Sequence, residues 1–126
     1  MSLTFEPGIT IAIDVTDWNA ARKWYCEKLG FVETWATEEG GWADFQPVGA
    51  NISVGLNRLE AGTPHPGPGG VTMTFSVRDI EAARTELESR GVEFMGPTNE
   101  LPGMVKLAVF RDPDGNAMML AQSLME

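Results

Sequence analysis

Three side chains on predicted strands carry groups that could bind or transform a small molecule. Asp14 has a carboxylate, and such a group is seldom buried without a partner. It could hold a cationic ligand, or act as a general base towards a substrate within hydrogen-bond reach. Trp35 and Trp42 present large flat rings that stack on planar or cationic groups. These residue types favour a site for a small, planar organic molecule.

Two other reactive residue types occur once each in the chain. Cys26 cannot form an internal disulfide, and no histidine lies near it in sequence to make it a nucleophile. We interpret it as a packing residue. His65 lies in a segment rich in glycine and proline, and a lone histidine in such a segment is expected to face solvent rather than a metal.

An internal repeat organises the chain. Residues 9–28 align with residues 71–90, and the run Ala20-Ala21-Arg22 recurs as Ala82-Ala83-Arg84. A repeat of this kind indicates that one structural unit occurs twice.

Each copy begins with alternating apolar and mostly polar residues, which predicts a strand with one buried face. A helix follows in each copy. Asp17 and Asp79 are suited to cap the helix N-termini, because a short carboxylate accepts the free amides of the first turn. Gly30 and Gly91 are suited to end the helices.

Three further strands are predicted in each copy, at 31–37, 41–46 and 51–57, and at 93–95, 104–111 and 117–122. Turns are predicted at 38–41 and 112–116, and a long loop at 96–103. The predicted fold is α+β. It has two βαβββ modules, about 4–60 and about 71–123, joined by a linker at about 61–70 within a single domain spanning 1–126.

The overall composition is that of a globular protein with a real core, at 43% hydrophobic and 21% charged residues. The net charge of −9 and the scattered lysines and arginines argue against nucleic acid and anionic membranes as partners. No apolar run approaches the roughly 20 residues of a membrane span. No secretory signal is recognised, so a cytoplasmic protein is expected.

With these elements in order, the chain resembles the glyoxalase/bleomycin-resistance/extradiol-dioxygenase superfamily over roughly residues 8–122. The first copy matches the family strings V-x-D and Y-x-x-x-L-G-F with Val15-Thr16-Asp17 and Tyr25-Cys26-Glu27-Lys28-Leu29-Gly30-Phe31. The turn Phe110-Arg111-Asp112-Pro113-Asp114-Gly115-Asn116 matches the family's most recognisable string. The resemblance implies that the two modules form a curved mixed sheet around a cup-shaped cavity.

In metal-dependent members, ligands come from the first and last strands of each module. The resemblance places these positions at Thr10, Thr72 and Met119, with the fourth at Val54 or Gly55. A neutral hydroxyl is a poor ligand, and methionine suits soft ions such as Cu(I) rather than Zn, Fe or Mg. A catalytic metal site needs about three good donors. We therefore predict no metal and no other cofactor, which puts the family's metal-dependent activities in doubt.

The resemblance also implies which side chains line the cavity. Thr10 and Asp14 should face it from the first module, and Thr72, Thr74 and Met119 from the second. Alternation alone does not decide whether the two strand tryptophans join them.

Three functions agree with such a cavity. The first is binding or sequestration of a small organic molecule, as in the bleomycin-resistance branch. The second is a lyase or isomerase that uses Asp14 as its base. The third is a regulatory domain that binds a metabolite. The family further implies a homodimer, sometimes formed by exchange of modules through residues 62–70.

Overall fold

The structure, a computed structural model, describes residues 9–59 and 72–125, which fall into two compact units, one in each half of the chain. Each unit has the order strand, helix and three strands, which confirms the predicted α+β fold with two βαβββ modules. The predicted linker at 61–70 and His65 lie outside the described residues. The grouping of both modules into a single domain stays a prediction.

The elements of the first unit are β1 (Thr10–Val15), α1 (Trp18–Leu29), β2 (Val32–Thr37), β3 (Trp42–Gln46) and β4 (Ser53–Arg58). Those of the second unit are β5 (Met73–Ser76), α2 (Ile80–Ser89), β6 (Asn99–Leu101), β7 (Val105–Arg111) and β8 (Ala117–Ser123).

Each unit contains one mixed sheet, with the strand order β1-β4-β3-β2 in the first and β5-β8-β7-β6 in the second. The first and last strands of each unit pair in parallel, and the remaining neighbours pair antiparallel. Within this described part of the chain, no helix has the length and apolar character needed to span a membrane.

Both helices begin at the aspartates predicted to cap them. The side chains of Asp17 and Asp79 each accept a hydrogen bond of 3.1 Å from the backbone N–H of the third residue after them. Helix α1 ends at Gly30, whose φ of 71° lies in the left-handed region that favours glycine. Helix α2 ends one residue earlier than expected, with Arg90 as its C-cap and Gly91 following it.

The core of the first unit lies between α1 and one face of its sheet. Tyr25 is fully buried, and its ring centroid lies 5.7 Å from that of Phe31 and 6.3 Å from that of Phe45. The indole N–H of Trp18 donates to the carbonyl of Leu56 at 3.1 Å, which ties the start of the helix to β4. The face of the sheet that carries Phe45 and Leu56 is therefore the one that α1 covers.

The core of the second unit repeats this arrangement with other residues. Ile80 of α2 is fully buried, as are Phe110 of β7 and Met118 of β8. The ring of Phe94 packs beside that of Phe110, with centroids 5.2 Å apart. Burial of such side chains is the main favourable term in folding, at about 1.5–3 kcal/mol each.

The turn between β7 and β8 is held by a buried carboxylate. Asp112 is only 5% exposed, and its Oδ1 accepts from the backbone N–H of Asp114 at 2.9 Å and of Asn116 at 2.8 Å. The side-chain amide of Asn116 donates to the second carboxylate oxygen at 2.8 Å. The string that carries the family resemblance thus ends in a turn held by hydrogen bonds between its own residues.

The strand prediction was wrong at one place. The segment 93–95 forms no strand, and only Phe94 makes an isolated bridge, to Phe110. The strand of that region is β6, inside the segment 96–103 that was predicted as a loop. All three residues of β6 are exposed, so no apolar alternation marks it in the sequence. The strand β6 forms because it pairs with β7.

The packing of α1 on its sheet makes Phe45 a sensitive position. We predict that Phe45→Ala lowers the free energy of unfolding by about 3–5 kcal/mol, because it leaves a cavity under Tyr25. Urea denaturation followed by circular dichroism measures this loss. Val48→Ala is the control, since Val48 is 79% exposed and should change stability by no more than about 0.5 kcal/mol. Equal effects of the two substitutions would contradict the described core.

Candidate functional site

The face of the first sheet opposite α1 carries most of the residues that could do chemistry. Of the positions that register and alternation place on it, six define what we call the polar face: Asp14 of β1, Trp35 of β2, Trp42 and Asp44 of β3, and Gly55 and Asn57 of β4. Thr10 lies on the same face, at the start of β1, and is exposed. The strand tryptophans that sequence left unplaced are therefore on the same side of the sheet as Asp14.

The residues of the polar face form rows across the strands. One row joins Trp42 to Asn57 and Asn57 to Asp14, and the next joins Asp44 to Gly55. Phe45 is one residue further along β3, so it points to the other side and is fully buried. Alternating side chains thus separate a polar face from a core face in a single four-stranded sheet.

Asp14 is half-buried on this face and has a defined orientation. Its Oδ1 accepts a hydrogen bond of 3.2 Å from the side-chain amide of Asn57 on the neighbouring strand. A fixed carboxylate of this kind can pair with a cation or accept a proton.

No lysine or arginine of residues 9–59 lies on the polar face. Three of the four cationic side chains in that range belong to α1, namely Arg22, Lys23 and Lys28. The fourth, Arg58, is opposite Val15 in register, and its guanidinium lies 5.3 Å from the ring of Trp18 on the helix side. The polar face therefore carries the carboxylates of Asp14 and Asp44, and the cationic side chains of residues 9–59 lie elsewhere in the first unit.

Trp42 is held in place by two neighbours. Its indole N–H donates to Asp44 Oδ1 at 2.8 Å. Its six-membered ring lies in the space above Gly55, where an added Cβ would overlap the ring atoms Cζ2, Cη2 and Cε2. The indole therefore leans diagonally across the sheet, from β3 over β4.

Trp35 is the more accessible of the two aromatic side chains, at 57% exposed. It lies on the edge strand β2, opposite Asp44 in register. The pairing of β2 with β3 shifts between Glu33 and Trp35, so an irregularity in the strand sets the side to which Trp35 points.

The other three predicted site residues belong to the second unit. Thr74 and Met119 are register partners on β5 and β8, and so lie on the same face of the second sheet. Thr72 comes just before β5 and is exposed. Val109 is the register partner of Met119 on β7, and Leu107 lies two residues away on the same strand, so this face also carries apolar side chains.

The positions at which the family resemblance places metal ligands carry side chains that suit a divalent ion poorly. The register resolves the uncertain position on β4, because Gly55 lies on the side of Thr10 whereas Val54 is fully buried in the core. Gly55 has no side-chain donor, Thr10 offers a hydroxyl, and Met119 offers a thioether that suits soft ions. Across residues 9–59 and 72–125, no three histidine, cysteine, aspartate or glutamate side chains are grouped as a metal site.

Cys26 lies on α1 and is half-buried. Burial raises the pKa of its thiol, and the nearby charge of Glu33 raises it further. A raised pKa keeps the group in its less reactive thiol form at neutral pH. This agrees with the interpretation of Cys26 as a packing residue.

Sequence reasoning did not name Asp44 and Asn57 as site residues. A signal for both was present, since Asp44 alternates with buried Ala43 and Phe45, and Asn57 follows buried Leu56. The period-two pattern that was applied to β1 would have found them on β3 and β4.

The comparisons with known proteins agree with this fold. The model of the Glyoxalase/Bleomycin resistance protein/Dioxygenase superfamily matches residues 9–120, and the chain belongs to this superfamily. Among curated proteins, the chain is 25% identical over 125 residues to YetH of Bacillus subtilis (strain 168), a protein described as uncharacterized. That match covers 90% of this chain and 95% of YetH.

Two solved structures are similar over nearly the full chain. One is a superfamily member from Sphaerobacter thermophilus, at 28% identity and a TM-score of 0.80, covering 96% of this chain and 100% of that chain. The other is TnmS3, described as an antibiotic binding protein, from Streptomyces sp. CB03234. It is 27% identical with a TM-score of 0.77, covering 97% of this chain and 99% of its own.

Proposed function

We propose that the protein binds and sequesters a small, planar, cationic organic molecule on the polar face of the first sheet. Thr10, Asp14, Trp35 and Trp42 are its ligand-binding residues in the first unit. Thr72, Thr74 and Met119 of the second unit are the other predicted ligand-binding residues, and their role stays a prediction. Binding rather than turnover is the proposed outcome.

The observation that supports this proposal most is the composition of the polar face. Two indole rings and two carboxylates lie on one side of one sheet. Indole rings attract cations to their faces and stack on planar groups. A carboxylate adds Coulomb attraction, which is stronger where water is partly excluded. A planar cation can stack on the indole rings and pair with the carboxylates at the same time.

The relatives support a binding role. TnmS3, which shares 27% identity and nearly the whole fold with this chain, is described as an antibiotic binding protein. A second similar structure, at 28% identity, is described as a glyoxalase/bleomycin resistance protein. We extend the binding role, but not the identity of any ligand, to this chain.

The alternative is a lyase or isomerase with Asp14 as general base. The orientation of Asp14 by Asn57 at 3.2 Å favours it, because a base must be fixed towards the proton that it removes. The two functions differ in what becomes of the bound molecule. A binding protein returns the molecule unchanged, whereas an enzyme converts it and loses that conversion in Asp14→Asn.

Proflavine, a planar aromatic cation, is a suitable probe for the proposed site. We predict that fluorescence titration shows binding to the wild-type protein, and that Trp35→Ala weakens it by roughly 1–3 kcal/mol, the scale of an aromatic contact at a binding hot spot. Asp14→Asn should also weaken binding of proflavine. Added salt should have a modest effect, since a half-buried pair is poorly screened.

Acridine, which is uncharged at mildly alkaline pH, separates stacking from charge. Its binding should fall in Trp35→Ala but not in Asp14→Asn. Val48→Ala is the matched control, because Val48 is exposed in the loop between β3 and β4 and should leave both affinities unchanged. Wild-type protein that binds neither compound, or two site variants that bind as the wild type does, would refute the proposal.

We further propose that the binding site works without a metal ion, because the resemblance places the family's ligand positions at Thr10, Thr72, Met119 and either Val54 or Gly55. Dialysis against EDTA should then leave both the thermal unfolding midpoint and the proflavine affinity unchanged. Elemental analysis that finds stoichiometric Zn, Ni, Mn or Fe, together with loss of that metal in Thr10→Ala, would contradict this.

A cytoplasmic homodimer is the proposed working form. Val32 on the edge strand β2 and Leu101 on the edge strand β6 are large apolar side chains left 54% and 43% exposed, and association would cover such groups. Light scattering at micromolar concentration should give twice the chain mass of 13.7 kDa. A monomer under those conditions would remove this proposal.

A further inference from the structure

Gly55 occupies an unusual place for a glycine. It lies inside β4, between two fully buried neighbours, and glycine weakens a strand because it loses more backbone freedom on folding than other residues. Its φ is not among the positive values found at turn glycines of the described chain, so the backbone does not require glycine there. Glycine is required at this position because of the side chain that lies above it.

What lies above Gly55 is the indole of Trp42. An added Cβ would overlap three atoms of the six-membered ring. The overlap is with a ring rather than with the free end of a flexible side chain, so a small adjustment cannot relieve it. Glycine in a strand commonly marks such a close approach.

The second restraint on the ring is polar. The Trp42 indole N–H donates to Asp44 Oδ1 at 2.8 Å, and Asp44 is the register partner of Gly55. A hydrogen bond to a charged acceptor is about twice as strong as one between neutral groups. Because Gly55 has no side chain, the Trp42 ring fits above it, and the hydrogen bond to Asp44 fixes the rotation of the ring.

We propose that Gly55 is a specificity-determining position, which seats the Trp42 indole over β4 and so forms the aromatic floor of the binding face. This inference rests on the proposed function for its ligand, a planar cation. Because the indole N–H is used by Asp44, the floor offers its ring and the adjacent carboxylate rather than a hydrogen-bond donor.

The position of the Trp42 indole above Gly55 also leaves no space for a metal-ligating side chain at residue 55. The resemblance places a ligand of metal-dependent relatives at Val54 or Gly55, and of these two Gly55 lies on the polar face. A histidine or glutamate at residue 55 would need the space that the indole fills. An aromatic floor and a metal ligand at this position therefore exclude each other.

A test that needs no ligand uses the indole N–H signals in a ¹H–¹⁵N correlation spectrum. The chain has 4 tryptophans, and the signal of Trp42 is identified by its loss in Trp42→Ala. Gly55→Ala should shift the Trp42 signal and speed its hydrogen exchange, because the ring leaves Asp44. The remaining indole signals should stay in place, which shows that the fold is kept. Asp44→Asn should also speed the exchange, without adding any atom to the sheet.

The ligand arm uses proflavine and a double-mutant cycle. Gly55→Ala should weaken binding as much as Trp42→Ala does, and the double variant should bind no more weakly than Trp42→Ala alone. Gly55→Ala should lower the unfolding midpoint in the wild-type background. It should leave that midpoint unchanged or raise it in the Trp42→Ala background, since the clash is then gone.

The outcomes separate the two proposals. An unchanged Trp42 signal in Gly55→Ala would refute the claim that the Trp42 indole needs a residue without a side chain at position 55. A shifted signal with unchanged proflavine affinity would overturn its role in specificity. Absence of proflavine binding to the wild-type protein would refute the proposed planar cation, and with it the specificity role, while the spectra would still decide whether Gly55 seats the ring.

Discussion

The packing of α1 against one face of the first sheet is the constraint on which the candidate site depends. Tyr25 and Trp18 cover the side of the sheet that carries Phe45 and Leu56, and the bond from the Trp18 indole to the Leu56 carbonyl fixes the helix along β4. Because side chains alternate along a strand, burying Leu56 turns Gly55 to the opposite side. The site thus lies on the face of the sheet opposite the core. Its side chains point to that face because their neighbours along each strand are buried on the other.

Much of the fold could be predicted because its signals are local. Asp17 and Gly30 each act within one turn of a helix, and the hydrogen bonds of Asp112 join residues two and four positions away. The strand β6 could not be predicted, because its exposed residues owe their structure to pairing with β7.

The candidate site was predicted only in part, for a similar reason. Asp14 and Thr10 follow from the regular alternation of β1. The direction of Trp35 depends on a shift of register between β2 and β3, which is a property of two strands rather than of one. The contact between Trp42 and Gly55 joins two strands diagonally, so neither residue indicates it alone. A glycine inside a strand was the one available signal.

The register shift on β2 has a consequence for solubility. As an edge strand, β2 leaves unpaired backbone groups that could template the addition of a strand from another molecule. The shift makes that edge irregular, and Glu33 beside it forms an ion pair of 2.7 Å with Arg22. A regular incoming strand would meet both a broken hydrogen-bond pattern and a fixed charge. The register shift that sets the direction of Trp35 therefore also disfavours the addition of a strand at this edge. A substitution that made the pairing of β2 regular would lower the solubility of the protein.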